Sequence, residues 1–324
     1  ILIPNRSTET LVKKNVFGTD YELITPQADS IKEINDSMWG GCDGLLAWHD
    51  FYYSKEIISK LSRCRGIVRL GTGVDNIDLE AASNAGIIVS NVPDYGTNDV
   101  ADHTWALILS LERGIVRFNQ SMLDQGPWSW ELGMDLNRIQ DRTLGIIGLG
   151  RIGTAVAMRA KAFGMRILFY DPYAPIGIEK SLSIQRVHNQ DDLIKQSEII
   201  TIHTPLTDLT KRMVGKEFFN KMKDGSSIYN TARGEIIDFN ALYKALKEDK
   251  IRCAGLDVLE EEPIDYSHPL IKSWKLRESW IDGRLVITPH AAFYNNQSFE
   301  EMELKAVEEL KRIVKGKKPL SRVN

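Results

Sequence analysis

The stretch Thr143–Asp171, TLGIIGLGRIGTAVAMRAKAFGMRILFYD, decides how the chain is read. Leu144 to Ile147 is a short apolar run of the kind that forms a buried strand. It breaks into Gly148-Leu149-Gly150-Arg151-Ile152-Gly153, and an alanine-rich, helix-favouring run carries on to Phe163. A second apolar run, Ile167 to Tyr170, ends at Asp171. Strand, glycine turn, helix, strand and terminal acid are together the context that a dinucleotide fingerprint requires. Gly148 permits the tight turn, Gly150 lets backbone approach a pyrophosphate, and Gly153 lets helix and strand pack closely. The free N–H groups of the helix start then face the phosphates. Asp171 follows Gly153 by 18 residues, placed to accept hydrogen bonds from both ribose hydroxyls. Its charge repels a 2′-phosphate, and Pro172 and Tyr173 bring no compensating arginine, so NAD is expected over NADP.

At 324 residues the chain exceeds the usual single core, and two domains are expected. With 43% apolar and 26% charged residues and a net charge of −3, the composition shows no basic excess that would point to nucleic acid. No apolar run approaches a membrane span and no signal peptide is visible, and three cysteines without a framework suit a reducing cytoplasm. Cys42, Cys64 and Cys253 lack metal-ligand spacing and are too few for a disulfide framework. No metal is expected.

Outward from the fingerprint, the same alternation runs in both directions. Before it, candidate strands are Ile1–Ile3, Gly44–Trp48, Gly66–Leu70 and Ile87–Ser90, with polar helical stretches between them. This is a small α/β unit without a phosphate fingerprint of its own. Its segment Arg69-Leu70-Gly71-Thr72-Gly73 turns after a strand and exposes backbone N–H groups suited to a substrate carboxylate, with Arg69 as a charged fork. An ordinary strand-to-helix turn with Asp78 near a cap is the equal alternative. Asn91 to Asn98 is turn-rich and marks a domain boundary. Val100 to Leu111 reads as a buried helix, with His103 as a structural or interfacial residue. Residues 118 to 142, with Trp128 and Trp130, read as an irregular excursion whose aromatics pack on a partner or on their own domain.

After Asp171, strands Ile199–His203, Ser227–Asn230, Cys253–Leu256 and Leu285–Thr288 are separated by helices at Gly215–Met222 and Asn240–Glu248. Sequential strands with helical crossovers mean a parallel, doubly wound sheet. Apolar residues at helical spacing from Ser298 to Val314 form a helix that needs a surface, and the first unit is the candidate.

Ligands of such sheets bind beyond the carboxyl ends of the strands. There the chain places Thr231-Ala232-Arg233-Gly234, then Asp257 to Pro263 with three consecutive glutamates, then Pro289-His290-Ala291-Ala292. An arginine, an acid cluster and a histidine thus reach the edge that carries the cofactor turn. The set suits hydride transfer to a carbonyl beside a carboxylate. Histidine can donate the proton to the developing alkoxide. A carboxylate beside it stabilises the imidazolium, and arginine grips the substrate carboxylate and polarises the carbonyl. Of the three glutamates, two are expected to be solvated. His203 also follows a strand and is expected near the adenine side.

At these residues the chain resembles the D-isomer-specific 2-hydroxyacid dehydrogenase family, over nearly its whole length. Gly148–Gly153 with Asp171, Asn230–Gly234, Asp257–Pro263 and Thr288-Pro289-His290 carry the resemblance. It implies two Rossmann-like or flavodoxin-like doubly wound α/β domains with a hinged cleft between them. Residues 1–98 with 293–324 would form a discontinuous substrate domain, and 99–292 the NAD-binding domain. It implies Arg233 as the substrate arginine, His290 as the acid/base and Glu262, directly before the proline, as its partner. The implied cofactor contacts are Thr72, Thr104, Gly148, Gly150, Arg151, Ile152, Gly153, Asp171, Thr204, Thr231, Ala232 and Asp257. Substrate contacts are expected at Arg69, Thr72, Gly73, Arg233, His290 and Phe293.

The phrases Gly73–Asp78, Phe169–Tyr173 and His290–Tyr294 look most like the C-terminal-binding-protein branch, with Phe293 where that branch has tryptophan. A homodimer joined through the cofactor domains is implied. The activity implied is NAD-dependent interconversion of a 2-oxo acid and a D-2-hydroxy acid, and Phe293 hints at an apolar substrate side chain. The alternative of a different class is an NAD(H)-sensing scaffold with little turnover, against which the intact Arg233, Glu262 and His290 argue. A third reading keeps the fold and changes the donor to formate or phosphite. Formate enzymes place glutamine where Glu262 stands.

Overall fold

The computed structural model describes residues 1–5 and 16–324. The chain divides into two compact units, one of Ile1–Gly96 with Tyr294–Asn324 and the other of Thr97–Phe293. The first contains parallel strands β1 (Gly44–Ala47), β2 (Gly66–Arg69) and β3 (Ile88–Ser90), in that order. The run Ile1–Ile3, expected as a strand, contributes a parallel bridge at Leu2, with Leu45 on one side and Ile24 on the other. In chain order the extended segments therefore lie 2-1-3-4-5, the flavodoxin-like winding. Between Ile3 and Gly44 the described residues form a short 3-10 turn, Ile31–Glu33, and a helix, Asp36–Gly41; part of the helical stretch expected there lies outside the described residues.

The C-terminal helix, Asn296–Val314, starts at a capping box between Asn295 and Ser298. Its buried residues Met302, Ala306, Val307, Leu310 and Ile313 follow helical spacing, and that face covers β1 and β2. Contact is close because the strands open on glycine. A Cβ on Gly66 would lie 2.5 Å from Ile313 Cγ2, and one on Gly44 2.9 Å from Leu310 Cδ1. The tail then runs along β3, where Val323 N donates to Val89 O at 2.9 Å and Val89 N to Asn324 Oδ1 at 2.8 Å. Both ends of the chain thus complete one core.

The second unit contains β4 (Thr143–Ile147), β5 (Arg166–Tyr170), β6 (Gln185–Arg186), β7 (Ile199–Ile202), β8 (Ser226–Asn230), β9 (Ile251–Leu256) and β10 (Leu285–Ile287). They form a parallel sheet in the order β10-β9-β8-β7-β4-β5-β6. The chain winds outward from β4 in both directions, so the switch point falls between β4 and β7. Every residue of β4, β7 and β8 is buried, as expected of central strands in a parallel sheet covered on both faces.

The helix Thr97–Glu112 packs on β8 and β9. It ends on Glu112, 1% exposed, an acid at the disfavoured end of a helix dipole. Arg142 and Arg252 bind this carboxylate together with the hydroxyls of Ser227 and Tyr229.

The excursion from 118 to 142 is more ordered than its sequence suggests. A helix, Ile115–Leu123, occupies its first part, and 3-10 turns follow at Trp130–Gly133 and Ile139–Asp141. The helix has no buried residue, so it carries no apolar stripe anchored in a core. Arg117 holds it instead, donating to Leu132 O at 2.6 Å and to both oxygens of Asp135.

Gly66→Ala should lower the unfolding free energy by about 1–3 kcal/mol, because the new methyl displaces Ile313. Urea denaturation measures this, and a variant as stable as the parent would contradict the packing described.

Candidate active site

The glycine turn has the bare geometry its sequence demands. Gly148 sits at φ +90, and a Cβ there would lie 2.7 Å from His203 O. One on Gly153 would lie 2.1 Å from Gly148 O, whereas Gly150 faces open space. The helix Arg151–Ala162 begins at Gly150 with no side-chain cap and no acid in its first turn. Its leading N–H groups therefore offer an anion cradle. Beside the turn, the buried Thr204 hydroxyl has no hydrogen-bond partner among the described residues. An uncapped helix start, room above Gly150 and an orphaned hydroxyl fit a dinucleotide.

Asp171 ends β5. Its Oδ2 accepts from Leu149 N at 2.8 Å, and its Oδ1 accepts from Tyr173 N at 2.8 Å and Ala174 N at 3.1 Å. An arginine absent from the neighbouring sequence does reach this strand end: Arg186 donates to Asp171 O at 3.3 Å. It is committed elsewhere, to Glu179 at 3.0 Å and to Pro175 O at 2.7 Å, and it lies over the Phe169 ring. It is therefore not poised for a 2′-phosphate.

Arg233, Glu262 and His290 all come from loops after β8, β9 and β10. His290 Nδ1 lies 2.7 Å from Glu262 Oε2, and Glu262 Oε1 accepts from Leu259 N at 2.9 Å. Burial works to raise the Glu262 carboxyl, but His290, the Leu259 N–H and the Arg233 charge outweigh it and hold it below the usual carboxylate range. Its pairing is thus fully present above the ordinary carboxylate pKa and is lost only as pH falls through the depressed value.

The turn after β8 is built by Asn230, fully buried, whose Oδ1 accepts from Ala232 N at 2.9 Å and whose Nδ2 donates to Arg233 O at 2.8 Å. Gly234 lies under the acid loop, where a Cβ would be 1.8 Å from Leu259 O. No side chain fits there. Neither role was assigned from sequence, although a glycine directly after the arginine was the available signal.

The acid loop departs from expectation at Glu260. It is not a solvated residue, since Arg212 binds its Oε1 and Phe239 N donates to its Oε2 at 3.2 Å. Asp257 is 1% exposed and ties the third loop: Thr288 Oγ1 and Ala291 N donate to its Oδ1, and Ala292 N donates to its Oδ2 at 2.9 Å. His290 itself sits at φ +52, its N–H donating to Asp257 O at 2.7 Å. The Nε2 of His103 lies 2.9 Å from Thr288 Oγ1.

Thr104 and Thr231 are buried with their hydroxyls 2.9 Å apart, and Thr104 also donates to Val100 O. Ala232, Arg151 and Ile152 lie on the two turns already described. His203 accompanies Thr204 at the end of β7, and burial pushes its imidazole down to about 3, so it is neutral at physiological pH. Phe293 meets the His290 ring edge-on at 6.4 Å between centroids.

Arg69, Thr72 and Gly73 belong to the first unit. Arg69 is buried and donates to Leu70 O at 2.5 Å, lying over Gly71, while Thr72 Oγ1 donates to Val92 O at 3.3 Å. Asp78 caps the helix Leu79–Asn84.

Among the described residues no cluster of His, Cys, Asp or Glu could hold a metal ion, and no helix is long and apolar enough to cross a membrane. Residues 105–292 match the family model for the D-isomer-specific 2-hydroxyacid dehydrogenase NAD-binding domain. The chain is 37% identical to a glyoxylate reductase of Korarchaeum cryptofilum, over 94% of this chain and 90% of that one. It is 40% identical to a D-3-phosphoglycerate dehydrogenase of Methanocaldococcus jannaschii over 81% of this chain, but spans only 48% of that protein's length. A D-lactate dehydrogenase of Aquifex aeolicus, crystallised with NAD and lactic acid, superposes with a TM-score of 0.87 at 30% identity, covering 98% of this chain and 96% of that one.

Gly234→Ala should cost about 1–3 kcal/mol or more and strip hydrogen-exchange protection from the Leu259 amide. Unchanged protection at Leu259 would show that the two loops do not depend on the bare glycine.

Proposed function

The chain belongs to the NAD-dependent D-isomer-specific 2-hydroxyacid dehydrogenase family, and from that membership we propose that it reduces a 2-oxo acid to the D-2-hydroxy acid and catalyses the reverse. The observation that carries this reading is the 2.7 Å contact of His290 with Glu262, on the sheet edge that also bears Arg233. Thr97–Phe293 serves the cofactor, and Ile1–Gly96 with Tyr294–Asn324 serves substrate selection.

The Gly148–Gly153 turn, the uncapped start of the following helix, Asp171 and Thr204 would hold the dinucleotide. Thr104, Thr231, Ala232 and Asp257 shape its nicotinamide end. When bound, the nicotinamide supplies or accepts the hydride. The rest falls to the side chains. Nδ1 of His290 is committed to Glu262, so Nε2 is the nitrogen that delivers a proton to the carbonyl oxygen as it becomes an alkoxide, and recovers it in oxidation. Glu262 fixes the ring and stabilises the imidazolium. Arg233 holds the substrate carboxylate with its forked guanidinium and polarises the carbonyl. Phe293 beside His290 favours an apolar substrate side chain.

The second unit also carries a homodimer interface in this reading. Ile115, Leu123, Trp128, Trp130 and Met134 are 54%, 73%, 94%, 77% and 77% exposed within one stretch. A concentrated apolar surface of this kind marks an association site.

NADH consumption with pyruvate, glyoxylate, hydroxypyruvate, phenylpyruvate and 4-methylthio-2-oxobutyrate tests the activity. Turnover is expected with at least one acid, falling roughly 10²–10⁴-fold in His290→Ala and Arg233→Ala. Glu262→Gln keeps a hydrogen-bond acceptor but removes the charge that favours the imidazolium. Turnover should therefore fall in that variant, and its residual activity should lack the decline that the parent shows as pH drops through the depressed Glu262 value. NADH binding without turnover on any acid would leave a nucleotide-sensing scaffold instead. Sedimentation of Trp128→Glu/Trp130→Glu should show monomers where the parent is a dimer, and a parent that is itself monomeric would remove the interface.

A further inference from the structure

Two of the three cysteines stand at matching places in the first unit. Strands β1 and β2 pair in parallel with Gly44 opposite Gly66. Cys42 and Cys64 each precede that pair by two residues, and Arg65 N donates to Asp43 O at 2.9 Å, which carries the pairing one step toward them. Neighbouring parallel strands run about 4.8 Å apart, inside the Cα separation of roughly 4.4–6.8 Å that a disulfide spans. Both side chains enter the same core cluster, at 1% and 8% exposure. Their immediate neighbours Gly41, Ser62, Arg63 and Arg65 are exposed, so the pair lies just under the rim.

We propose that Cys42 and Cys64 are a reversible dithiol–disulfide pair that a small peroxide oxidises, stapling the start of β1 to the start of β2. In the reduced protein each thiol donates to a backbone carbonyl, Cys42 Sγ to Trp39 O at 3.4 Å and Cys64 Sγ to Gly66 O at 3.2 Å. The side chain of Cys64 pulls the Cys42 thiol below its usual range against the opposing effect of burial, while Cys64 is pushed well above it. The Cys42 thiolate attacks a peroxide oxygen, the O–O bond breaks and hydroxide leaves, giving a sulfenic acid. The Cys64 sulfur then attacks Cys42 sulfur, the S–O bond breaks, and water leaves with the Cys64 proton. Two thiols are oxidised and one hydrogen peroxide becomes two waters. The staple closes the chain from 42 to 64, which restricts the unfolded state and stabilises the folded one. It sits at the amino ends of β1 and β2, opposite the carboxyl ends where ligands of such sheets bind. Cys253 serves as an internal control, since burial pushes its thiol up to about 11.

The full chain would be exposed to hydrogen peroxide until the exposed Met134 is oxidised, then alkylated under denaturing conditions and mapped by peptide mass. The expected product links the Cys42 and Cys64 peptides, leaves Cys253 alkylated, melts at a higher temperature and reverts with dithiothreitol. Cys42→Ser should yield no link. Recovery of Cys42 and Cys64 both alkylated, or as sulfinic acids without a link, would overturn the proposal, as would a link through Cys253.

Discussion

A histidine with left-handed backbone must be held there, and in this protein one buried carboxylate does the holding. The conformation costs about 1–2 kcal/mol for a residue with a Cβ. At His290 it is offset by the N–H bond to Asp257 O and by the three donors that converge on the Asp257 carboxylate. Burying that carboxylate without them would be far more expensive. Because the Thr288 hydroxyl donates to Asp257, it accepts from His103, whose Nε2 must then carry a hydrogen. The helix Thr97–Glu112 is drawn into the same arrangement. The aim of the His290 ring, and so its contact with Glu262, depends on this knot.

The other two loops are held by the same logic with different parts. Asn230 uses its whole amide to shape the turn that presents Arg233, and Gly234 yields its side-chain space to the Leu259 carbonyl. Arg212 and the start of the helix Phe239–Lys247 grip Glu260, which leaves Glu262 to face His290. Three loops on adjacent parallel strands are thus locked by backbone and buried polar contacts. This stiffness suits chemistry in which the protein mainly positions and polarises.

Glycine at the mouths of β1 and β2 brings the last helix within contact of the first strands, and the C-terminal tail pairs along β3. The first unit is consequently made from residues at both ends of the chain. The same close pairing of β1 and β2 sets Cys42 beside Cys64, and nothing in their sequence spacing indicates it.

Much of this is legible in the sequence. Alternating apolar and helical runs determine a parallel winding, because only crossover helices join parallel strands. The fingerprint locates the cofactor turn, because only glycine tolerates those approaches. Strand ends bring Arg233, the acid loop and His290 to one sheet edge, because their loops follow the adjacent strands β8, β9 and β10. What the tertiary structure alone decided are matters between residues far apart in the chain. Glu260 goes to Arg212 and Glu262 to His290, Arg186 arrives beside Asp171 already paired, and burial keeps His203 neutral. The helix Ile115–Leu123 lay hidden because no buried stripe marks it and a salt bridge to Asp135 secures it. Periodicity and local sterics are properties of neighbouring residues and can be read along the chain. Charge pairing and desolvation depend on groups that only folding brings together.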